Sequence, residues 1–493
     1  MKTSLQVLSA EEKHQVHART LEILAATGVR VDTQLGRNLL QDAGAQVNEE
    51  SHIVRFPKSM VEESLRLTTK DFSLGARRPG WDLKMNAGNC TLLADGEGTF
   101  VTNAETGERR NSTTKDWLEA TRLIDALDEI GVYWSMVERS VEPANTTAAQ
   151  QVIYLSNVFS NFSKHVQDGL SDAYLAPWLL EVLQVVFGDK ETIRRNHPYS
   201  FLLCPQSPLV IDRQYTEAYL ALLGWDIPVA IMPMPLMGGT APGSLISTII
   251  LGNCEVLATI CLIQAGAPGT PILYAPVLAI SNLRNGTYAA GAVESGLTGA
   301  ASTEMARYYG LPVEASGGGT SQFIPGIQAS YERSINVLLP ILSAPDILVG
   351  PGLMGGSTHL CLEQLLIDIE VYKLGRRALQ GIATDQGSWL DDVIQKVGPA
   401  GHFMAQHSTV KNMRAGEWYL SDFGWHGSYE EWHASGKPRL VDEARLRIQE
   451  ILSNHNPLPL SEDRKAELDK IVQRAMATRW INDHDLSFKF FKI

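Results

Sequence analysis

Short apolar runs alternate with longer stretches of helical pattern through the middle of the chain. Eight runs predict β-strands, each followed by a cluster of turn residues: CTLLAD (90–95), VYWSMVE (132–138), SKHVQDG (163–169), SFLLCPQ (200–206), PVAIMPMP (228–235), PILYAP (271–276), LPVEASGGG (311–319) and DILVGPG (346–352). Successive runs start about 30 to 40 residues apart, which is the length of a strand–helix unit. Helices are predicted at 114–128, 146–162, 173–187, 213–224, 243–266, 289–310, 328–344 and 358–379.

This alternation predicts the α/β class and, from the count of eight, a TIM (β/α)8 barrel. A doubly wound sheet is the alternative, because alternation alone does not show that a sheet closes. No GxGxxG follows the first run, so the usual marker of a dinucleotide-binding sheet is missing. We expect an N-terminal helical segment at 1–89, the barrel at 90–380 and a C-terminal extension at 381–493.

Capping signals define the flanking segments. Ser9 and Glu12 have the spacing of a capping box, and Gly28 ends the helical pattern that follows them. A polar helical hairpin with short extended pieces is therefore expected over 1–85. The C-terminal extension is rich in aromatic residues between 418 and 432, and a polar helix is predicted to begin near Ser461.

Composition and charge narrow the possible partners. The 493 residues are 44% hydrophobic and 20% charged, with a net charge of −13, which argues against nucleic acid and anionic membrane surfaces. Five scattered cysteines without a CxxC pair indicate neither a disulfide framework nor a zinc site, and they fit a reducing cytoplasm. The most apolar stretch, 244–267, contains Asn253, Glu255 and Gln264. These internal polar residues favour a buried helix over a membrane span.

Active sites of such barrels lie at the C-terminal ends of the strands. No lysine lies at these strand ends, which argues against a Schiff-base mechanism. No HxH pattern follows a strand, so no metal is expected. His165 and Gln167 alternate on one strand and could both face the lumen, where His165 is as readily a hydrogen-bonded core residue as a catalytic one. His359 opens a predicted helix, either as an ordinary N-terminal polar residue or pointing into the site.

Glycines and aromatic residues follow several strands and allow two interpretations each. The glycines could form tight turns, bind phosphate at a helix N-terminus, or leave a broad neutral surface for a large flat cofactor. The aromatic residues could be core, or they could form a cage for a quaternary ammonium group, since each ring attracts a cation by about 0.5–2 kcal/mol.

Six long motifs are spread across nearly the whole chain: LSAEEKHQVHARTLEILAATGVRV near the N-terminus, TGERRNSTTKDW (106–117), PMPLMGGTAPGSLISTIILGNCEVLA (233–258), GGGTSQFIPGIQASYE (317–332), GPAGHFMAQHSTVKNMRAGEWY (398–419) and YEEWHASGKP. Together they resemble the trimethylamine:corrinoid methyltransferase superfamily. The resemblance implies a TIM barrel. It also implies transfer of a methyl group from a methylated amine to the Co(I) corrinoid of a separate corrinoid protein, as in the one-carbon metabolism of strict anaerobes.

The sequence departs from the founding members of that superfamily at one point. Those enzymes contain pyrrolysine, whereas this sequence is written entirely in standard residues; the matching region is expected near 317–320. The resemblance then implies a quaternary amine as substrate, with glycine betaine as the leading candidate, dimethylglycine as its product, and proline betaine or carnitine as alternatives. A quaternary amine already carries the charge that makes its methyl group open to attack.

The resemblance implies binding roles and no acid, base or nucleophile from the protein, because the corrinoid carries the chemistry. The candidates for the ammonium cage are Trp134, Tyr274 and Phe323, with Asp95 and Glu138 adding negative charge. The candidates for binding the substrate carboxylate are His165, Gln167, Arg284 and His359. The candidates for the surface that faces the corrinoid are Gly238, Gly239, Gly317, Gly318, Gly355 and Gly356.

Two functions of other classes remain open from the sequence. One is a barrel lyase or hydrolase that acts on a small neutral or anionic substrate. The other is a non-catalytic module that binds betaine or a corrinoid protein. A homo-oligomer is also expected, from the size of the barrel and the aromatic extension.

Overall fold

Eight parallel strands form a closed barrel in the computed structural model, which describes residues 3–137, 147–478 and 480. The strands are β1 (Thr91–Leu93), β2 (Ile130–Tyr133), β3 (His165–Asp168), β4 (Tyr199–Leu203), β5 (Val229–Ile231), β6 (Ile272–Tyr274), β7 (Glu314–Ser316) and β8 (Ile347–Val349). Neighbours in the chain pair in parallel, and β8 pairs with β1. A parallel bridge from Tyr274 to Val313 joins β6 to β7 and completes the ring. Closure confirms the TIM barrel over the doubly wound sheet.

A helix follows each barrel strand, as the sequence predicts. These helices are α1 (Thr114–Ala126), α2 (Thr147–Asn161), α3 (Ala176–Phe187), α4 (Gln214–Leu220), α5 (Leu245–Gly266), α6 (Val293–Tyr309), α7 (Ile327–Leu342) and α8 (Leu362–Gln380). A further short helix, Lys190–Asn196, follows α3. The largest boundary errors are about four residues, at the starts of α6 and α8 and at the end of α4. Short strands at Thr287–Tyr288 and His359–Leu360 precede α6 and α8.

The N-terminal segment is more structured than a helical hairpin. Its helices are Ala10–Ala26, Gln34–Asp42 and Lys58–Leu67, and its strands are Val29–Val31, Gln46–Asn48 and Ile53–Arg55. The predicted capping box of Ser9 and Glu12 is present. Gly28 ends the first helix with φ of +77°, and a Cβ there would lie 2.2 Å from the Val54 carbonyl oxygen. The small sheet takes its fourth strand, Val210–Ile211, from the loop after β4, which ties the segment to the barrel.

The barrel interior and the most apolar helix are both packed. Three residues in or next to the short strands Ser73–Leu74 and Leu83–Lys84 join the inward-facing barrel residues in one apolar cluster. They are Phe72, Leu74 and Met85. Helix α5 has the length and mean hydropathy of a membrane span, but 83% of that stretch is buried within the protein. It packs against α6 and all three N-terminal helices. It is therefore the core helix that its internal polar residues indicate.

Small sheets and C-terminal helices surround the barrel. At the C-terminal ends of the barrel strands lie Leu236–Met237, Ala279–Asn282 and Thr287–Tyr288 in one sheet, and Phe100–Thr102, Arg109–Asn111, Leu353–Met354 and His359–Leu360 in another. The remaining helices are Asp391–Val397, His407–Arg414, Tyr429–Ala434, Leu440–Asn454 and Glu462–Ala477. Ser461 caps the last of these, as predicted, by accepting from the Arg464 backbone N–H. The helix Glu462–Ala477 packs against α2 and α3, while Leu440–Asn454 packs against α8 and α1.

Candidate active site

A cavity of about 610 Å³ opens at the C-terminal ends of the barrel strands. Leu202, Met232 and Val349 belong to the barrel's inner apolar cluster and form its base. Met234 and Tyr215 also line it and are 42% and 46% exposed, so they mark its mouth. Its position is the one that barrel enzymes use for catalysis.

One wall of the cavity is acidic and aromatic, and it comes from three consecutive strands. Asp95 follows β1, Trp134 follows β2, and Asp168 ends β3. Gly96 permits the Trp134 indole to lie against the backbone, since a Cβ at this position would come within 2.2 Å of the ring. Glu97 adds a third carboxylate to the cavity lining. This wall is suited to a cation.

Hydrogen bonds fix the two buried carboxylates of this wall. Asp95 accepts from the Gly96 backbone N–H at 3.0 Å and from the Ser357 hydroxyl. Burial nevertheless raises the pKa of Asp95 to about 6. Asp168 accepts from the Gly169 backbone N–H at 2.8 Å and from the Tyr154 hydroxyl. Both side chains are therefore held in place before any ligand binds.

The opposite wall, after β6 and β7, is neutral. It presents Tyr288, Ala290, Ser295 and Ser316. Burial raises the pKa of Tyr288 to about 12, so this phenol stays protonated. Within the part of the chain that the structure describes, no lysine, arginine or histidine lines the cavity. The cavity therefore has an acidic side and an uncharged side.

A polar pair crosses the barrel lumen near the cavity. The Gln167 Nε2 donates to Glu314 Oε2 at 2.9 Å. Because β3 and β7 lie four strands apart in the ring, this bond joins opposite sides of the barrel. Burial raises the pKa of Glu314 to about 7. Neither side chain lines the cavity.

Three aromatic residues were predicted for the ammonium cage and two acidic residues to add negative charge to it. Of these five, Trp134 and Asp95 line the cavity. Tyr274 does not: it is buried on the outer side of β6 and donates from its hydroxyl to Asn253 Oδ1 at 3.0 Å. Phe323 also lies outside the cavity lining and is 53% exposed. Glu138 lies outside the described residues.

The four residues predicted to bind a carboxylate do not line the cavity. His165 and Gln167 are both fully buried, and the His165 ring nitrogens are occupied by the Gly75 carbonyl and the Ser200 hydroxyl. Burial lowers the pKa of His165 to about 4, so it is a neutral core histidine. Arg284 is exposed in the turn between Ala279–Asn282 and Thr287–Tyr288.

His359 corrects another expectation, because it lies in a strand and not at a helix start. Its backbone pairs with Phe100, and its ring lies 5.1 Å from that ring and 5.0 Å from the Phe323 ring. Its Nδ1 lies 2.7 Å from the Thr358 hydroxyl oxygen. Burial lowers its pKa, which favours the neutral imidazole. It supports the rim of the barrel and does not face the cavity.

The six glycines predicted to face a corrinoid have reasons for being glycine within the protein. Gly238, Gly318, Gly355 and Gly356 have φ between +58° and +82°. A Cβ would come within 2.7 Å of the Asn336 carbonyl at Gly317 and within 2.8 Å of the Ser281 hydroxyl at Gly239. Gly317 and Gly356 line the cavity, whereas Gly238 and Gly239 lie on an exposed turn at the rim. Tight turns thus account for the glycine pattern, and contact with a corrinoid stays a prediction.

Sequence reasoning missed several residues of the cavity lining. Asp168 is the last residue of β3 and lies near the end of the predicted run 163–169, so its position was a usable signal. Ser295 and Tyr288 lie well beyond the end of β6 and carry no comparable signal. Cys204 also lines the cavity, and burial raises its pKa to about 12, so it is a neutral thiol. Among the described residues, no group of three or more His, Cys, Asp or Glu side chains could hold a metal ion.

Comparisons with known proteins identify relatives along almost the entire chain. The family model described as trimethylamine methyltransferase (MTTB) matches residues 2–479. A trimethylamine methyltransferase, MttB, of Desulfitobacterium hafniense is 30% identical over 94% of this chain and 93% of its own length. A glycine betaine methyltransferase of the same species is 27% identical over 94% of this chain and 96% of its own length. The solved monomethylamine methyltransferase MtmB of Methanosarcina barkeri is 13% identical, covers 91% of this chain and 89% of its own, and has a TM-score of 0.49.

Proposed function

Because this chain belongs to the trimethylamine methyltransferase (MTTB) family, we propose that it transfers a methyl group from a quaternary amine to the corrinoid of a separate protein. The observation that carries the proposal is the cavity wall of Asp95, Trp134 and Asp168. An indole face and two fixed carboxylates attract a permanent cation, and no basic side chain among the described lining residues opposes it.

The protein's part in this reaction is to bind and orient the amine. Co(I) of the corrinoid supplies the nucleophile that takes the methyl group. The C–N bond breaks, its electron pair stays on nitrogen, and the amine leaves with one methyl group fewer. No proton has to move, which is compatible with a cavity whose thiol and phenol are both held neutral. Rate enhancement then comes from alignment and from the exclusion of water.

The mouth of the cavity fits a large flat group that another protein brings. Leu283 and Phe323 are 76% and 53% exposed, and the neighbouring turn at Gly238 and Gly239 is exposed and has no side chain to obstruct approach. This surface offers apolar contact beside the exposed Arg284, and its apolar part suits a corrin face. Gly238 and Gly239 lie in this exposed turn, and all six predicted glycines stay candidates for contact with the corrinoid.

Glycine betaine is the substrate we propose first. One relative of the chain is named a glycine betaine methyltransferase, and a quaternary amine needs no pyrrolysine to activate it. Proline betaine has a dimethylammonium group and carnitine a trimethylammonium group, each in a molecule with a carboxylate, and these two are the alternatives. Trimethylamine is the substrate named for other relatives, so the experiment has to include it.

The test is anaerobic incubation of the protein with chemically reduced cob(I)alamin and each amine in turn. Glycine betaine should convert the Co(I) spectrum to that of the methylated corrinoid and yield dimethylglycine. A response to another betaine would keep the reaction and change the substrate. A response to trimethylamine alone would overturn the quaternary-amine proposal. If no amine responds, with free cobalamin or with a corrinoid protein, the binding-module and lyase alternatives take precedence.

A further inference from the structure

The start of α6 borders the cavity without a cap of its own. Its N-cap residue is Ala292, which makes no side-chain capping hydrogen bond. Backbone N–H groups in the first turn of a helix have no i−4 partner within the helix, and they form its electropositive end. In α6 the Ser295 N–H donates to the Ala292 carbonyl at 3.1 Å, so this N–H is not available to a ligand. Ala290 and Ser295, on either side of the first residue Val293, both line the cavity. The positive end of a 17-residue helix therefore adjoins the ligand space.

A hydroxyl group in this first turn also lacks a partner. Ser295 is 9% exposed, and its Oγ is buried with no hydrogen bond among the described residues. A buried hydroxyl without a partner is costly, and it can donate to an acceptor inside the cavity. Glu294, in the same turn, is not part of the cavity lining. The hydroxyl and the helix end thus offer hydrogen-bond donors at one place.

The two ends of the cavity have opposite preferences. Trp134 follows β2 and Ser295 follows β6, and these strands lie four apart, on opposite sides of the ring. Asp95 and Asp168 flank the Trp134 side, so an anionic group of a ligand is repelled there. Among the described residues that line the cavity, the α6 side has donors and no carboxylate.

We propose that the first turn of α6, together with the Ser295 hydroxyl, binds the carboxylate of a zwitterionic substrate. Its ammonium group then lies against Asp95, Trp134 and Asp168. The assignment rests on the proposed function and deepens it, because it explains how a cavity without a basic side chain among its described residues receives a betaine. It also replaces His165, Gln167, Arg284 and His359 as the expected carboxylate-binding residues.

Calorimetric titration with glycine betaine and with tetramethylammonium, which has no carboxylate, tests this assignment. Ser295→Ala should weaken glycine betaine binding about tenfold, the usual effect of losing one hydrogen bond to a charged group. Ser295→Asp should weaken it about 100-fold or more, because it adds a negative charge beside the carboxylate. Tetramethylammonium affinity should stay within about twofold for Ser295→Ala and should not fall for Ser295→Asp.

Ser330 provides the matched control. It lies in the first turn of α7, is exposed, and donates from its hydroxyl to the Gly326 carbonyl at 2.9 Å, outside the cavity. Ser330→Ala and Ser330→Asp should leave both affinities unchanged, and circular dichroism should show that all variants are folded.

Three results would overturn the assignment. The first is that the Ser295 variants weaken both ligands equally. The second is that they affect glycine betaine no more than the Ser330 controls do. The third is that the wild-type protein binds tetramethylammonium but no betaine. In each of these cases the proposed methyl transfer from a quaternary amine can still hold. If the wild-type protein neither binds nor demethylates any quaternary amine, the proposed function fails and this assignment fails with it.

Discussion

The Glu314 carboxyl makes the stability of the barrel depend on pH. Burial raises its pKa from an ordinary value of 4.5 to about 7. An acid whose pKa is higher in the folded protein stabilises the fold fully below its unfolded pKa, and this contribution is lost as the pH rises through the folded pKa. The shift corresponds to about 3 kcal/mol, lost between about pH 4.5 and pH 7.

Glu314→Gln should restore that free energy at high pH. Gln167 Oε1 and Glu314 Oε1 are both buried acceptors without a hydrogen-bond partner among the described residues. In the variant, the new amide can donate to Gln167 Oε1 while it accepts from Gln167 Nε2. A protonated Glu314 can make the same two bonds. We therefore expect the variant to be about 3 kcal/mol more stable than wild type at pH 8 and about equal to it at pH 4.5.

Urea unfolding followed by circular dichroism, at several pH values from 4.5 to 8, measures this difference. For a chain of this length, 3 kcal/mol corresponds to a melting-temperature rise of only about 3 °C, so the urea midpoint is the better quantity. Glu462→Gln, at a glutamate whose side chain is 89% exposed, serves as the control and should show no such trend. A difference that does not grow with pH, or a variant less stable than wild type at pH 8, would refute the reasoning.

Four substitutions test the site and its support. Trp134→Ala should raise KM for the amine about tenfold without unfolding the protein. Unchanged kinetics would show that Trp134 does not bind the ammonium group. Tyr274→Phe should lower the free energy of unfolding by about 1 kcal/mol and leave turnover unchanged. A fall in turnover would indicate that Tyr274 does bind the ammonium group. Because the pKa of Asp95 is about 6, amine binding should weaken as the pH falls below about 6, and Asp95→Asn should remove this dependence in calorimetry at pH 5–8. In the wild type Arg333 pairs with the buried carboxylate of Asp368 at 2.6 Å, and Arg333→Leu removes this partner. The free energy of unfolding in urea should therefore fall by about 3–5 kcal/mol. A fall of less than about 1 kcal/mol would contradict this account.

The barrel could be predicted because its signals are local and repeated. Each strand is a short apolar run, and each helix lies within one strand–helix unit, so spacing alone gives the count. Closure was inferred only from the count of eight and from the family resemblance, since no local pattern contains the pairing of β8 with β1 or the contact between β6 and β7. The small rim sheets were missed for a similar reason. Strands of two residues, such as His359–Leu360, are too short to show alternation.

The candidate site was predicted only in part, because alternation does not show which face of a strand is inside. Along β6, Leu273 belongs to the barrel's inner cluster while Tyr274 packs outward, and the sequence treats both as apolar strand residues. His165 and Gln167 do lie buried in the barrel, yet their polar atoms are directed to other protein groups. Asp95 and Trp134 were found because they directly follow their strands.

The charge distribution around the cavity links the stability prediction to the substrate proposal. An ionised Glu314 would place a further negative charge inside the barrel, close enough to Cys204 of the cavity lining to raise the pKa of that thiol. A protonated Glu314 leaves the attraction for an ammonium group at Asp95 and Asp168, near the strand ends, where a partner protein can reach the methyl groups. Below pH 7, where Glu314 is mostly protonated, Glu314→Gln should leave betaine binding unchanged. The same substitution should stabilise the fold at pH 8, whereas Ser295→Asp should weaken binding without changing the pH dependence of stability. If Glu314→Gln instead reduced the affinity for both glycine betaine and tetramethylammonium below pH 7, the Glu314 carboxylate would be ionised there and part of the cation site, and the inference of a neutral barrel interior would be wrong.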